Sequence, residues 1–173
     1  MKLSQTIAKK LTAYGLSGAL VLAGAGTISY YEGKVNNVYV DPVGILTACY
    51  GHVGPELKKG QTFTDDECLE QLAEDLVSHD KGMMRNVKVE LSEKEHAAYL
   101  SFTYNLGVNA FAKSTLLKKL NNEDRIGACN ELLRWDKAKG KTLAGLTKRR
   151  QDENKLCLEG AYEMIRSDDA SNK

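Results

Sequence analysis

Glu32, Asp41 and Thr47 are residues whose types and spacing could do chemistry together. Glu32 ends a long uncharged stretch, Asp41 precedes Pro42 at the mouth of a turn, and Thr47 lies on the segment that returns from it. A hairpin would bring Asp41 and Thr47 near each other, and a helix ending at Glu32 could aim a second carboxyl at the same space. One acid to protonate a leaving oxygen, one carboxylate to activate water or offset positive charge at carbon, and a hydroxyl to place that water are what glycoside hydrolysis needs. Spacing alone also fits a plainer reading, in which Asp41 initiates a turn and Glu32 marks a boundary.

Other chemistries find less support. No two of Cys49, Cys68, Cys129 and Cys157 lie within four residues of each other, which excludes a zinc ribbon and a CxxC redox site. His52, His79 and His96 form no HExxH, and no GxSxG occurs. A metal site would have to be gathered from distant segments, so neither metal nor cofactor is expected. With 24 Lys and Arg against 23 Asp and Glu in 173 residues, the chain is not built as a dedicated nucleic-acid binder. At 42% hydrophobic residues it can bury a sizeable core.

The elements that must position these residues can be read in outline. Val38-Tyr39-Val40, the turn Asp41-Pro42-Val43-Gly44 and the run Ile45 to Tyr50 predict a β-hairpin. Thr64 with Glu67, and Ser92 with Glu95, are capping boxes that open two helices, the second running to Leu106 and stopping at Gly107. Further helices are expected from Ser114-Thr115, from Asp124 to Trp135, and from Gly145 to about Met164. The fold class is α+β, with a small β-hairpin lobe joined to a larger helical lobe. Residues 1–31 form an N-terminal segment, 32–166 the folded domain, and 167–173 a polar, frayed tail.

The N-terminal segment reads as an address. From Leu11 to Tyr31 there are 21 consecutive uncharged residues, preceded by Lys9-Lys10, which fits a helix across a bilayer with the remainder exported. Eight of the 21 are Gly or Ala, and Thr12, Ser17, Thr27 and Ser29 add polar groups, so insertion is marginal. Three fates stay open: a weak anchor that can be released, a permanent anchor, or a signal cut near Ala23-Gly24-Ala25. The small-residue content favours the releasable anchor. Export to an oxidising compartment favours disulfides, and four cysteines allow three pairings. Cys49 with Cys68 and Cys129 with Cys157 is preferred, because each pair would staple neighbouring elements.

Tyr31-Glu32-Gly33, Tyr39-x-Asp41-Pro42-x-Gly44 and Thr47-Ala48-Cys49-Tyr50-Gly51-His52 together resemble the active-site signature of phage-type lysozymes, glycoside hydrolase family 24. Glu32, Asp41 and Thr47 match the family spacing without a gap, and Cys49 stands where many members have Gly. Ser101-Phe102-x-Tyr104-Asn105-x-Gly107 and Phe111-x-x-Ser114-Thr115-Leu116-Leu117 resemble the family's cleft segment, and Arg134-Trp135 with Gly145-Leu146-x-x-Arg149-Arg150 its closing helices. The N-terminal span resembles that of the signal-anchor-release endolysins of lambdoid phages. Some of those cage a cysteine at the position of Asp41 and free it by exchange with an anchor cysteine, a route closed here because no Cys precedes Cys49.

The resemblance implies a lysozyme-like fold and a muramidase that cuts peptidoglycan with inversion. It makes Glu32 the general acid and Asp41 the group that activates water and stabilises charge, with Thr47 placing the water. Asn105, Ser114 and Thr115 become candidate sugar contacts, although Ser114-Thr115 is equally explained as a helix cap. It further implies export, tethering at the inner membrane facing the periplasm in an inactive state, and a soluble monomer after release. The basic stretch from Arg134 to Arg150 suits a rim facing an anionic wall polymer; a nucleic-acid site and a merely solvated face are its alternatives. A wall-binding module without turnover, a wall amidase and a lytic transglycosylase are the rival functions.

Overall fold

The computed structural model describes residues 4–171. Helix α1 (Gln5–Ala13) is capped by Ser4, whose hydroxyl accepts the Ile7 N–H, and it ends where Gly15 takes φ +79°. The chain then turns back through α2 (Gly18–Leu22), a π-helical segment (Ala23–Ile28) and α3 (Ser29–Glu32). The single continuous helix expected over Leu11–Tyr31 is therefore absent. Gly15 tolerates a left-handed conformation that most residues resist, and it splits the stretch in two. No helix among the described residues is long and apolar enough to cross a membrane.

This segment enters the core of the domain. Leu11, Leu20, Ala23, Ala25 and Ile28 are all buried in one cluster with Leu72, Leu76 and Leu100. Burial of a leucine or isoleucine contributes about 1.5–3 kcal/mol, so Leu11, Leu20 and Ile28 hold the segment firmly. Its small residues allow the close approach: a Cβ on Gly24 would lie 2.6 Å from Leu76 Cδ1 and 2.7 Å from Leu11 Cδ1.

The hairpin follows. Strand β1 (Val35–Val40) pairs antiparallel with β2 (Leu46–Cys49), Tyr39 opposite Thr47 and Val40 opposite Leu46. The helical lobe starts with α4 (Asp65–Met84), opened by Thr64, which accepts from the Glu67 N–H while the Glu67 carboxylate accepts from the Thr64 N–H. Helix α5 (Glu93–Leu106) begins with the same reciprocal box at Ser92 and Glu95. It is the central helix, and Ala97 through Thr103 are buried on every face. Around it lie α6 (Val108–Lys113), α7 (Thr115–Asn121), α8 (Arg125–Glu131) with a 3₁₀ turn over Leu132–Arg134, and α9 (Ala144–Ser171). A short hairpin, β3 (Lys137–Ala138) and β4 (Lys141–Thr142), links the last two. Helix α6 and this hairpin were not expected from sequence.

The tail expectation is corrected in part. Helix α9 continues through Ser171, and the Ser167 and Ser171 hydroxyls donate back to the Met164 and Ser167 carbonyls along it. Asn172 and Lys173 lie outside the described residues.

Both disulfides join the cysteines in the preferred pairs: Cys49–Cys68 ties β2 to the first turn of α4, and Cys129–Cys157 ties α8 to α9. Cys49 stands in the left-handed region at φ +54°, a conformation that Gly adopts without strain. The crosslink to α4 offsets that backbone cost. Each disulfide should contribute about 2–4 kcal/mol. Thiol titration of the oxidised protein in denaturant should detect no free sulfhydryl; four free thiols would contradict the pairing.

Candidate active site

Glu32 is the last residue of α3, and Gly33 at φ +68° redirects the chain into β1. Its side chain is about one-fifth exposed, and Oε1 accepts a hydrogen bond from Arg149 Nη1 at 2.7 Å. The other oxygen faces the turn after β2: a Cβ on Gly51 would lie 3.1 Å from Glu32 Oε2, and Gly51 has φ +79°. The positive φ favours glycine there, and a Cβ would press on the Glu32 carboxylate.

Asp41 sits at the hairpin turn. Its Oδ1 accepts from the Val43 N–H at 2.9 Å and the Ile45 N–H at 2.8 Å, and Oδ2 has no protein partner among the described residues. The Thr47 hydroxyl donates to the Ile45 carbonyl at 3.2 Å. Ile45 thus joins Asp41 and Thr47, its N–H donating to the Asp41 carboxylate and its carbonyl accepting from the Thr47 hydroxyl. Ala48, next to Thr47, exchanges two backbone hydrogen bonds with His52, which holds the Gly51 turn beside β2. One hairpin and its return turn therefore carry Asp41 and Thr47 and abut Glu32.

A model of the phage lysozyme family matches residues 29–153, from the start of α3 to the buried Glu153 of α9. The chain belongs to that family. It is 38% identical to a SAR-endolysin of Bacteriophage PS119 over 165 residues, covering 92% of this chain and 99% of that protein. A SAR-endolysin of Enterobacteria phage P21 is 40% identical over 129 residues, 75% of this chain and 78% of that one. The fold is shared with the active form of the P1 phage endolysin, at a TM-score of 0.78 and 21% identity, over 92% of this chain and 97% of that chain. As a member of the phage lysozyme family, the protein is a glycoside hydrolase.

Behind Glu32 this lysozyme holds an ion network that composition alone concealed. Arg149 Nε bonds Glu153 Oε1 at 3.2 Å, its Nη2 donates to the Ser101 carbonyl at 3.3 Å, and its guanidinium stands 5.5 Å over the Tyr31 ring. Arg150 is fully buried, pairs with Glu153, and donates to Asn105 Oδ1 at 3.1 Å. The reading of Arg134 to Arg150 as one basic rim is thus corrected for Arg149 and Arg150, which face inward. Lys137, Lys139 and Lys141 are exposed. The Arg149-Arg150-x-x-Glu153 spacing puts an i,i+4 and an i,i+3 pair on one helix face, and that signal was available in the sequence.

The candidate sugar contacts divide. Asn105 joins the network through Arg150, and its Nδ2 has no protein partner among the described residues. Ser114 is buried and spent: its hydroxyl donates to the Phe111 carbonyl at 2.7 Å and accepts from the Leu117 N–H at 3.1 Å, so it serves as the cap of α7. Thr115 is exposed and lines a shallow cavity with Glu131, Arg134 and Trp135. No hydrogen bond among the described residues links Ser114 or Thr115 to Glu32, Asp41 or Thr47. No group of three or more metal-ligating side chains occurs among the described residues.

His52 clamps the turn that faces Glu32. Its Nδ1 lies 2.8 Å from Asp75 Oδ2 and its Nε2 2.6 Å from Glu56 Oε1, while Tyr104 Oη donates to the Tyr50 carbonyl at 2.9 Å. Burial pulls the imidazole toward neutrality, but hydrogen bonds to Glu56 and Asp75 outweigh it and raise its pKa above the ordinary value. A raised folded-state pKa stabilises fully below the unfolded value, about 6.5, and that contribution fades as pH climbs through the folded value. The denaturation midpoint should therefore fall between pH 6 and pH 9, and His52→Gln should flatten the decline. An equal decline in the variant would remove His52 as its cause.

Proposed function

We propose that the chain is an endolysin, a muramidase that hydrolyses the β-1,4 bond between N-acetylmuramic acid and N-acetylglucosamine in peptidoglycan. The observation that carries this reading is Glu32, held at its inner oxygen by Arg149 and abutting the Gly51 turn that follows the hairpin bearing Asp41 and Thr47. Glu32 gives its proton to the glycosidic oxygen as the bond to the muramic C1 breaks. The unpartnered Oδ2 of Asp41 takes a proton from the attacking water and offsets the charge growing at C1. Thr47 holds that water through its hydroxyl lone pairs. The family signature implies attack from the opposite face, so the product anomer is inverted. Asn105 is a sugar contact through its free Nδ2, and the exposed lysines between Trp135 and Leu143 face an anionic polymer.

Regulation in this reading comes from the segment that ends at Glu32. The chain is exported, and residues 11–31 tether it to the inner membrane on the periplasmic side. Leu11, Ala19, Leu20 and Ala23 to Ile28 are core residues here, and they cannot lie in lipid and in the core at once. The tethered form is then inactive because α3 cannot place Glu32, and release lets the segment pack and complete the cleft, giving a soluble monomer. The SAR-endolysin relatives support this assignment. Fractionation of expressing cells into membrane and soluble pools, each assayed on purified wall with intact mass recorded, tests it. Activity confined to an uncleaved soluble pool is expected, and equal specific activity in the membrane pool would contradict it.

A further inference from the structure

Glu153 is a buried carboxylate with no part in the hydrolytic steps above. Its side chain has no solvent exposure. Oε1 accepts from Ser101 Oγ at 2.7 Å, from Arg149 Nε at 3.2 Å and from Arg150 Nη2 at 2.9 Å, and Oε2 lies 2.8 Å from Arg150 Nε. A buried charge persists only where paired charges and hydrogen bonds compensate it; here two arginines and a serine do so at Oε1, while Oε2 has the charge of Arg150 beside it but no aligned hydrogen bond among the described residues. The cluster is asymmetric in a useful way. Glu153 closes its inner side and Glu32 its outer side, and Arg149 bridges the two with different nitrogens of one guanidinium.

That planar fork cannot rotate while Nε is held by Glu153 and Nη2 by the Ser101 carbonyl. One edge then remains for Glu32, and it meets Oε1, leaving Oε2 at the Gly51 turn. We infer that Glu153 is a positioning residue for hydrolysis: through Arg149 it fixes the orientation of the Glu32 carboxyl, and its charge balances the second arginine so that Glu32 can carry a proton. The inference rests on the reading of Glu32 as the general acid. Without Glu153, Arg149 and Arg150 would leave Glu32 to answer two cations. The other charged or titratable groups facing the pair are Asp152 on α9, Tyr31 on α3, and Tyr104 on α5 with Asp75 of α4 behind it. The substitution used in the test changes none of them.

Glu153→Gln keeps the shape and removes one negative charge. In the full chain, with folding checked by circular dichroism, kcat on soluble peptidoglycan strands should fall about tenfold while KM stays within about twofold, the pattern of a lost transition-state contribution. The high-pH limb of kcat/KM, where a general acid loses its proton, should move down by roughly half a pH unit or more, since a negative charge has left its surroundings. Glu153→Asp, which keeps the charge, should return the limb toward the wild-type position. A purely structural Glu153 would change the folded fraction and leave the limb in place. A folded Glu153→Gln with wild-type kcat and an unmoved limb overturns the inference. If Glu153→Gln does not fold, Ser101→Ala decides: it removes one donor to Glu153 and should lower kcat several-fold at constant KM, and wild-type kcat there overturns the inference. Glu32→Gln in the same assay separates the two levels. Wild-type turnover in that variant would sink the general-acid reading, whereas a dead Glu32→Gln beside an unaltered Glu153→Gln removes only the role of Glu153.

Discussion

Replacing Glu32 by Gln should lower hydrolysis of purified cell wall by at least about 10²-fold and leave the fold intact. The amide oxygen can still accept from Arg149 Nη1, now 2.7 Å from Glu32 Oε1, and the amide nitrogen takes the place of Oε2 beside Gly51. Size and packing are preserved, so thermal stability should change little. What disappears is the proton for the leaving oxygen. Unchanged digestion of wall by folded Glu32→Gln would remove Glu32 from the mechanism.

The second large effect concerns release. From sequence, replacing Gly15, Gly18, Gly24 and Gly26 together by Leu should trap the protein in the membrane and abolish lysis. The structure gives a second reason for the same loss. Gly24 abuts Leu11 and Leu76, Gly18 abuts the Glu93 carboxylate, and Gly15 has φ +79°, so these leucines would also spoil the folded form. Thr12, Ala13 and Ser17 offer a cleaner test, because they belong to the same uncharged stretch and are exposed in the folded domain. Leucine at all three should favour the bilayer by roughly 0.5 kcal/mol or more per site without entering the core. This triple variant should stay in the membrane fraction and fail to lyse cells, yet match wild-type activity when produced in the cytosol without detergent. Prompt lysis by a triple variant shown to remain membrane-bound would rule out control by release.

Those glycines show how much of the architecture was legible and where legibility stopped. Capping boxes at Thr64 and Ser92 and the Asp41–Gly44 turn carry local signals, and local hydrogen bonds realise them in the structure. The stretch from Leu11 to Tyr31 carries two compatible meanings. Small apolar residues weaken a membrane helix, and the same residues permit tight packing against α4 and α5. Composition cannot separate these meanings, since both depend on small size.

The site divides along the same line. The spacing of Glu32, Asp41 and Thr47 follows the chain through one hairpin, so it could be read locally. The partner of Glu32 could not, because Arg149 is 117 residues away and sits in a run of positive charge that looks like a solvated face. Only the fold turns Arg149 and Arg150 inward. Ser114 shows the reverse case: its place in a cleft-like motif and its place before a helix offered two readings, and its hydroxyl caps α7.

The most direct test of the central claim is mass spectrometry of muropeptides released from purified sacculi in ¹⁸O-labelled water. Hydrolysis led by Glu32 and Asp41 predicts glycan fragments with reducing muramic acid ends that carry one ¹⁸O, and Glu32→Gln should release almost none. Unlabelled anhydro-muramic ends would mark a transglycosylase, and intact glycan strands freed of peptide an amidase. Either result would contradict the account.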